Sequence, residues 1–336
     1  MLAARLHGVA DLRVASESAL SAPPPGWSLL KVTSVGICGS DLHWFTDGGI
    51  GENRIEHPVV PGHEFAAVAL TGPHAGHRVA VDPAIPCGTC ELCRAGQHNL
   101  CPTVQFAGHG ELDGALRETM LWPDHLLHPL PDDLSDDAGA LLEPLGVAIH
   151  AVGLGHVRPG SDVAVVGAGP IGVLAAQVAR QAGAARVFVV EPRDHRRAAA
   201  LDAGADAAWS PQEGIDGLHE VTGGRGVDVV IEMAGSDDAI ATAVAGIRPG
   251  GRVVLGGIPS DDRSAFPAAA ARRKGLTLAM VRRMNDTYPR AITLATSAVD
   301  LDTLVTERYP LTDAAKAFSA AGERRGLKVV VTVSAS

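Results

Sequence analysis

In the stretch DVAVVGAGPIG, Asp162 to Gly172, an apolar, β-branched run breaks into three glycines, and an Ala-rich helical pattern follows at once. Strand, tight turn and helix in that order restrict the fold of this chain more than any other passage of it. Gly167 permits the turn, Gly169 lets backbone amides come close to a pyrophosphate, and Gly172 allows close helix packing. Pro170 and Ile171 lie between them at the helix start, where the dipole favours phosphate charge. The motif alone is weak, and a glycine-rich turn without a nucleotide is the other reading. Context favours the nucleotide: Glu191 ends the next strand-like run, RVFVVE, where an acid accepts bonds from both hydroxyls of an adenosine ribose. A carboxylate there repels a ribose 2′-phosphate, so NAD is expected in preference to NADP. In EPRDHRR, Arg193, Arg196 and Arg197 could supply compensating charge, and Arg196 is counted with the cofactor-binding residues.

The alternation continues through GVDVVIEMAG, DDAIATAVAGI and GRVVLGG, the pattern of parallel βαβ units covered by helices on both faces. Val163 to Ala179 is uncharged and nearly as long as a membrane span, but GAGP interrupts it, so it reads as a buried strand and a buried helix. The first 145 or so residues differ, with Gly, Pro and His among short β-type runs such as SLLKVTSV and HRVAVD. After about Val281 the chain leaves the alternating region and ends in a strand-like KVVVTV. A length of 336 residues suits two domains. The net charge of -10 opposes a general grip on nucleic acid or an anionic membrane and leaves small ligands open. The opening MLAARLHGVADLRV has no long apolar core, and a cytoplasmic setting is expected.

Four of the five cysteines fall within CGTCELCRAGQHNLC. Cys87, Cys90, Cys93 and Cys101 have the spacing C-x2-C-x2-C-x7-C, which lets a short loop wrap four thiolates around a tetrahedral zinc. Neighbours at C-x-x-C are poorly placed to bridge one another, and an iron-sulfur cluster is a lesser alternative. Four protein ligands leave no open position, so this site is expected to be structural. The fifth cysteine, Cys38 in GICGSDLHWF, and the pair His63 and Glu64 in VVPGHEF offer sulfur, nitrogen and oxygen. Such a mixed set suits a zinc that keeps a position for water or substrate.

GICGSDLH, PGHE, the four-cysteine loop, LLEPLGVAIHA and GAGPIG, in this order, resemble the zinc-dependent medium-chain alcohol dehydrogenases over nearly the whole chain. Glu64 after His63, GGIG at Gly48 to Gly51, and Glu143 look most like the polyol dehydrogenases of the sorbitol, xylitol or iditol type and their sugar-acid relatives. The resemblance implies an α/β protein with a GroES-like β-rich catalytic domain and a doubly wound Rossmann domain. The expected bounds are 1–147, carrying the zinc loop 87–101, then 148–281 for the NAD-binding domain, and 282–336 returning to the catalytic domain. It implies an active site between the domains, two zinc ions per chain, one catalytic and one structural, and a homodimer or homotetramer.

The resemblance also implies residue roles. Cys38, His63 and Glu64 hold the catalytic zinc, which lowers the pKa of a bound hydroxyl while NAD accepts the hydride. Ser40 receives the proton first and passes it toward His43. Asp41 orients a zinc ligand. Glu143 lies beside the zinc or bonds it, although before Pro144 it also reads as a helix-start carboxylate favoured by the dipole. Trp44 and Phe106 are candidate pocket walls. In VRRMNDTYP, Arg282 matches an arginine that reaches substrate hydroxyls, whereas Arg283 stands where the polyol dehydrogenases carry an aromatic residue. Two adjacent guanidinium groups could recognise a carboxylate or phosphate, but alternation in an extended segment would admit only one to the cleft. The expected reaction is therefore oxidation of a polyol or related secondary alcohol. A sugar-acid (idonate-like) or a threonine-type amino-alcohol dehydrogenase is the alternative, and a non-enzymatic nucleotide-binding protein on the same fold is more distant.

Overall fold

A computed structural model describes residues 1–260 and 263–334. The chain forms two compact units, Met1–Glu143 with Tyr288–Ser336, and Pro144–Thr287. The helix Asp136–Gly155 runs through the first boundary; at its start the Ser135 hydroxyl accepts the Ala138 N–H at 2.9 Å. Residues 282–287 belong with the second unit, where the sequence had suggested the return to the first. The reason is local: Val281 N–H donates to Leu255 at 2.8 Å, and Thr287 and the buried Met284 pack against Gly146.

The first unit is built on a seven-stranded sheet. Its long central strand, Trp27–Gly36, pairs antiparallel with Glu64–Ala69 on one side and with the C-terminal strand Lys328–Thr332 on the other. Thr119–Pro123 also pairs with the Trp27 end of the central strand. Alternate residues Leu30 and Val32 face a core with Phe65, Leu116, Trp122 and Phe318, and this burial makes the sheet a rigid platform. The register sets Gly36 against both Glu64 and Val330, so the strand ends that carry site residues lie side by side. KVVVTV thus becomes part of the first unit's sheet because its apolar residues complete that core.

The second unit holds a six-stranded parallel sheet in the order Ala207–Trp209, Arg186–Val190, Asp162–Val166, Val227–Glu232, Ile247–Leu255, Thr277–Met280. Sequence order reverses between Asp162–Val166 and Val227–Glu232, the switch point at which such sheets open a crevice. The uncharged Val163 to Ala179 run resolves into the strand Asp162–Val166 and the helix Pro170–Gln181, both largely buried. Among the described residues one helix, Asp136–Gly155, is long and apolar enough to cross a membrane, and 78% of its apolar window is buried in the protein, as befits a core helix.

Candidate active site

Cys38 ends an extended stretch and caps the helix Gly39–Asp47, with its N–H donating to Asp41 Oδ2 at 3.0 Å. The capping geometry places Cys38, Ser40 and Asp41 in one turn. His63 and Glu64 lie at the start of the strand Glu64–Ala69, next in the sheet to the strand that leads into Cys38. Donor atoms of Cys38, His63 and Glu64 come within 4.8 Å of one another. His63 is buried between two groups of that helical turn: Nδ1 lies 3.3 Å from Asp41 Oδ1, and Nε2 lies 3.4 Å from Ser40 Oγ. The Asp41 carboxylate thus stands beside one ring nitrogen and the Ser40 hydroxyl beside the other. His43, one turn further on, is half-buried and holds Asp47 Oδ2 at 2.9 Å.

Electrostatics at this point favour positive charge. Burial alone would lower the His63 pKa, yet Asp41 and Cys38 outweigh it and hold it well above an ordinary histidine. Glu143 is pushed up to about 8 by burial, with Glu64 and Asp82 adding to the shift against His63 and Lys328. Glu64 Oε1 is buried with no hydrogen-bond partner among the described residues. A buried carboxylate oxygen left open beside a thiol and an imidazole is the donor set a zinc ion requires, so the residues fit the metal.

Of the two readings of Glu143, the lesser one, a helix-start carboxylate, is corrected: the helix begins at Asp136, and Pro144 lies inside it. Asp136 and Asp137 occupy the first turn instead, so the dipole gives Glu143 no role there.

Two residues at the site carried no sequence signal. Lys328, 3% exposed on the C-terminal strand, pairs with Glu64 and donates to the Ile37 carbonyl at 2.9 Å. A Cβ on Gly36 would run into both members of the pair, so that glycine makes their space. His109 stands 5.2 Å from the His63 ring, 5.0 Å from Phe106 and 5.5 Å from Trp44, centroid to centroid. Phe106 is in turn 5.1 Å from His63, so of the two predicted pocket aromatics Phe106 meets His63 directly and Trp44 through His109. Trp44 Nε1 is buried without a hydrogen-bond partner among the described residues, a donor available to a hydroxyl.

Cys87, Cys90, Cys93 and Cys101 gather their sulfurs within 4.8 Å, and Cys87 and Cys93 sulfurs are 4.0 Å apart, too far for a disulfide and right for a shared ion. The backbone N–H groups of Cys87, Cys90 and Cys93 each donate to a sulfur of the set at 3.4 Å. Backbone donors at Thr89 and Cys90 push Cys87 down to about 5, while burial raises Cys93 to about 12. Four sulfurs within 4.8 Å of one another, held by amides in a loop of short turns, fit a closed four-cysteine zinc site.

In the second unit Gly167 has φ +94°, and a Cβ there would lie 2.9 Å from Ala234 N, so no other residue fits. A Cβ on Gly172 would strike the Gly167 carbonyl. Gly169 precedes Pro170, the first residue of its helix, followed by Ile171, and the space beside it is open, with Arg196 Nη1 3.8 Å from where a Cβ would stand. Glu191, 3% exposed, accepts the Ala168 N–H at 2.7 Å and the Arg193 N–H at 3.0 Å, which immobilises its carboxylate at the strand end. Arg197 turns to the Glu191 and Pro192 carbonyls and to Asp194. Arg282 is exposed and Arg283 half-buried in this unit. Their segment is not a strand, and Arg283 has φ +54°, so the expected strand alternation does not apply to the pair.

Two family descriptions match the chain: "Alcohol dehydrogenase GroES-like domain" over residues 24–132 and "Zinc-binding dehydrogenase" over 170–297. The chain is 37% identical over 292 residues to a sorbitol dehydrogenase of Bacillus subtilis (strain 168), covering 84% of this chain and 83% of that one. It is 36% identical over 338 residues to the sorbitol dehydrogenase of Bos taurus, covering 97% and 94%. The crystal structure of L-idonate 5-dehydrogenase from Escherichia coli str. K-12 substr. MG1655 superposes with a TM-score of 0.91 at 27% identity, covering 99% and 98%. Fold and donor sets together are those of a zinc-dependent, nicotinamide-linked alcohol dehydrogenase. The chain belongs to the medium-chain zinc-binding dehydrogenases, in their polyol dehydrogenase-like branch.

Proposed function

We propose that this protein oxidises a polyol or a related secondary alcohol to the ketone, with NAD as hydride acceptor and zinc at both donor sets. The observation that carries the reading is the buried set Cys38, His63 and Glu64, with Glu64 Oε1 open and Glu143 nearby. When bound, zinc supplies Lewis acidity that lowers the pKa of a coordinated hydroxyl, and the nicotinamide supplies the hydride acceptor. Ser40 Oγ, beside His63 Nε2, accepts the substrate proton as it gives up its own toward half-exposed His43, which, oriented by Asp47, releases one proton to water. Trp44 and Phe106 wall the pocket, and the Trp44 N–H offers a donor to a further hydroxyl of the chain of carbons. Glu143, whose carboxyl burial pushes up to about 8, would offer an oxygen to the metal or to its water. The immobilised Glu191 carboxylate, with Arg197 diverted elsewhere, supports NAD over NADP.

A sugar acid is the second substrate reading, supported by the likeness to L-idonate 5-dehydrogenase of Escherichia coli. We also infer a cytoplasmic homodimer or homotetramer, because reduced thiolates serve both metal sets and the sheet edge Thr277–Met280 presents exposed Leu278 and Met280. The test is NAD reduction across polyols, matching sugar acids and amino alcohols, with zinc counted on the same sample. Reduction with polyols and two zinc ions per chain is expected. Zinc-replete protein that reduces NAD with no secondary polyol would remove the reading.

A further inference from the structure

Glu232 ends the strand Val227–Glu232, the strand beside Asp162–Val166 where the order of the parallel sheet reverses. It is 1% exposed and lies far from both metal-ligand sets in sequence. Its Oε1 accepts the N–H groups of Ala234 at 2.6 Å and Gly235 at 2.7 Å. Its main-chain carbonyl accepts Gly256 at 2.8 Å and Gly257 at 3.1 Å. One residue therefore ties together the loops that leave two neighbouring strands at their C-terminal ends.

The first of those loops meets the glycine-rich turn, and the second crosses the first, with no room to spare. Ala234 N would lie 2.9 Å from a Cβ on Gly167, and Gly235 and Gly257 cross so closely that a Cβ on Gly257 would strike Gly235. The side chain holding this crossing is a carboxylate, although a neutral acceptor such as Gln could take the same two N–H groups. Burying that charge is costly unless its hydrogen bonds are complete. They are incomplete at one oxygen: Oε2 is buried with no hydrogen-bond partner among the described residues, and burial raises the Glu232 pKa although the Gly235, Ala234 and Gly257 N–H groups all act to lower it. A purely structural clamp gives no reason for an open acceptor at the place where parallel sheets bind dinucleotides.

We propose that Glu232 is a cofactor-positioning residue: Oε1 sets the shape of the crevice wall against Gly167, and Oε2 accepts a hydrogen bond from a hydroxyl or amide donor of the bound dinucleotide. The proposal rests on the reading of this unit as NAD-binding. It assigns the residue to affinity for the cofactor and leaves the alcohol site untouched.

The experiment is calorimetric titration of NAD into zinc-replete wild type and Glu232→Gln, with KM for the polyol measured at saturating NAD and melting temperature measured on both. The amide keeps an acceptor for the clamp and loses the charge and the second acceptor. The expected result is a dissociation constant for NAD raised roughly tenfold or more, the loss of one charge-assisted bond, with polyol KM and zinc content unchanged. NAD binding equal to wild type, or equal rises in both constants, would overturn the proposal. Should Glu232→Gln not fold, Glu232→Asp, which keeps the charge but withdraws it, decides by the same two constants. A wild type that fails to bind NAD would instead refute the underlying reading, and the proposal with it.

Discussion

Lys328 and Glu64 pair at 3% and 1% side-chain exposure, next to Cys38 and Glu143. A lysine so deeply buried is tolerable only against anions, and here the anions are those offered to the metal. Lys328→Met should destabilise zinc-stripped protein by about 3 kcal/mol, as breaking a buried pair does. Zinc-loaded protein should lose much less, because the dication takes over the missing charge. Thermal melts with and without chelator measure both, and equal losses would show that Lys328 does not balance the metal-ligand anions. Glu191 carries a second prediction at this scale. Glu191→Ser should lower kcat/KM for NAD roughly tenfold, the worth of a charge-assisted bond, and raise the NADP to NAD ratio; an unchanged ratio would assign cofactor choice to Arg193 or Arg196. Cys38, His63 and Glu191 stand out as candidates in the sequence because each sits in a short motif whose chemistry is local. Lys328 and His109 do not, because only pairing of strands far apart in the chain brings Lys328 to Glu64, and no spacing ties His109 to His63.

Among the elements, the loop Cys87 to Cys101 contains only a four-residue helix and a three-residue turn of helix, and it buries little apolar surface of its own. Its order must come from the thiolate set and the N–H bonds to sulfur. Cys90→Ser should therefore lose one zinc per chain and lower the melting temperature, whereas Cys38→Ala should lose the other zinc and turnover while the fold survives. Elemental analysis with calorimetric melting separates them, and identical behaviour would overturn the division into structural and catalytic sites. The helix Asp136–Gly155 shows where element-level reading fails. A proline usually marks a helix start or stop, but packing of the apolar residues Leu141, Leu142, Leu145 and Ile149 holds the helix through Pro144. The segment 281–287 fails for a different reason: its positive φ at Arg283 and Asp286 comes from packing that no propensity encodes.

At the scale of the whole molecule, the parallel sheet ends in the strand Thr277–Met280, with Met280 72% exposed and Leu278 37% exposed. An unprotected apolar edge in an otherwise ordinary sheet invites pairing with a second copy. Met280→Lys should shift the proposed oligomer toward smaller species in light scattering at micromolar concentration, with zinc content unchanged. An unaltered mass would place the subunit contact elsewhere.

The sequence by itself determined the two-part architecture and the parallel βαβ alternation, and it marked the two cysteine-bearing donor sets and Glu191 as candidates, since strand period, turn glycines and thiol spacing are local and survive without a fold. Tertiary structure alone decided the rest. It brought Lys328 and His109 to the metal ligands, opened Glu64 Oε1 while closing its partner oxygen, and raised Glu143 by burial. It also assigned 282–287 to the second unit and left Glu232 Oε2 open at the switch point. Each of these depends on which distant groups share a low-dielectric interior, and that is settled only when sheets pair and water leaves.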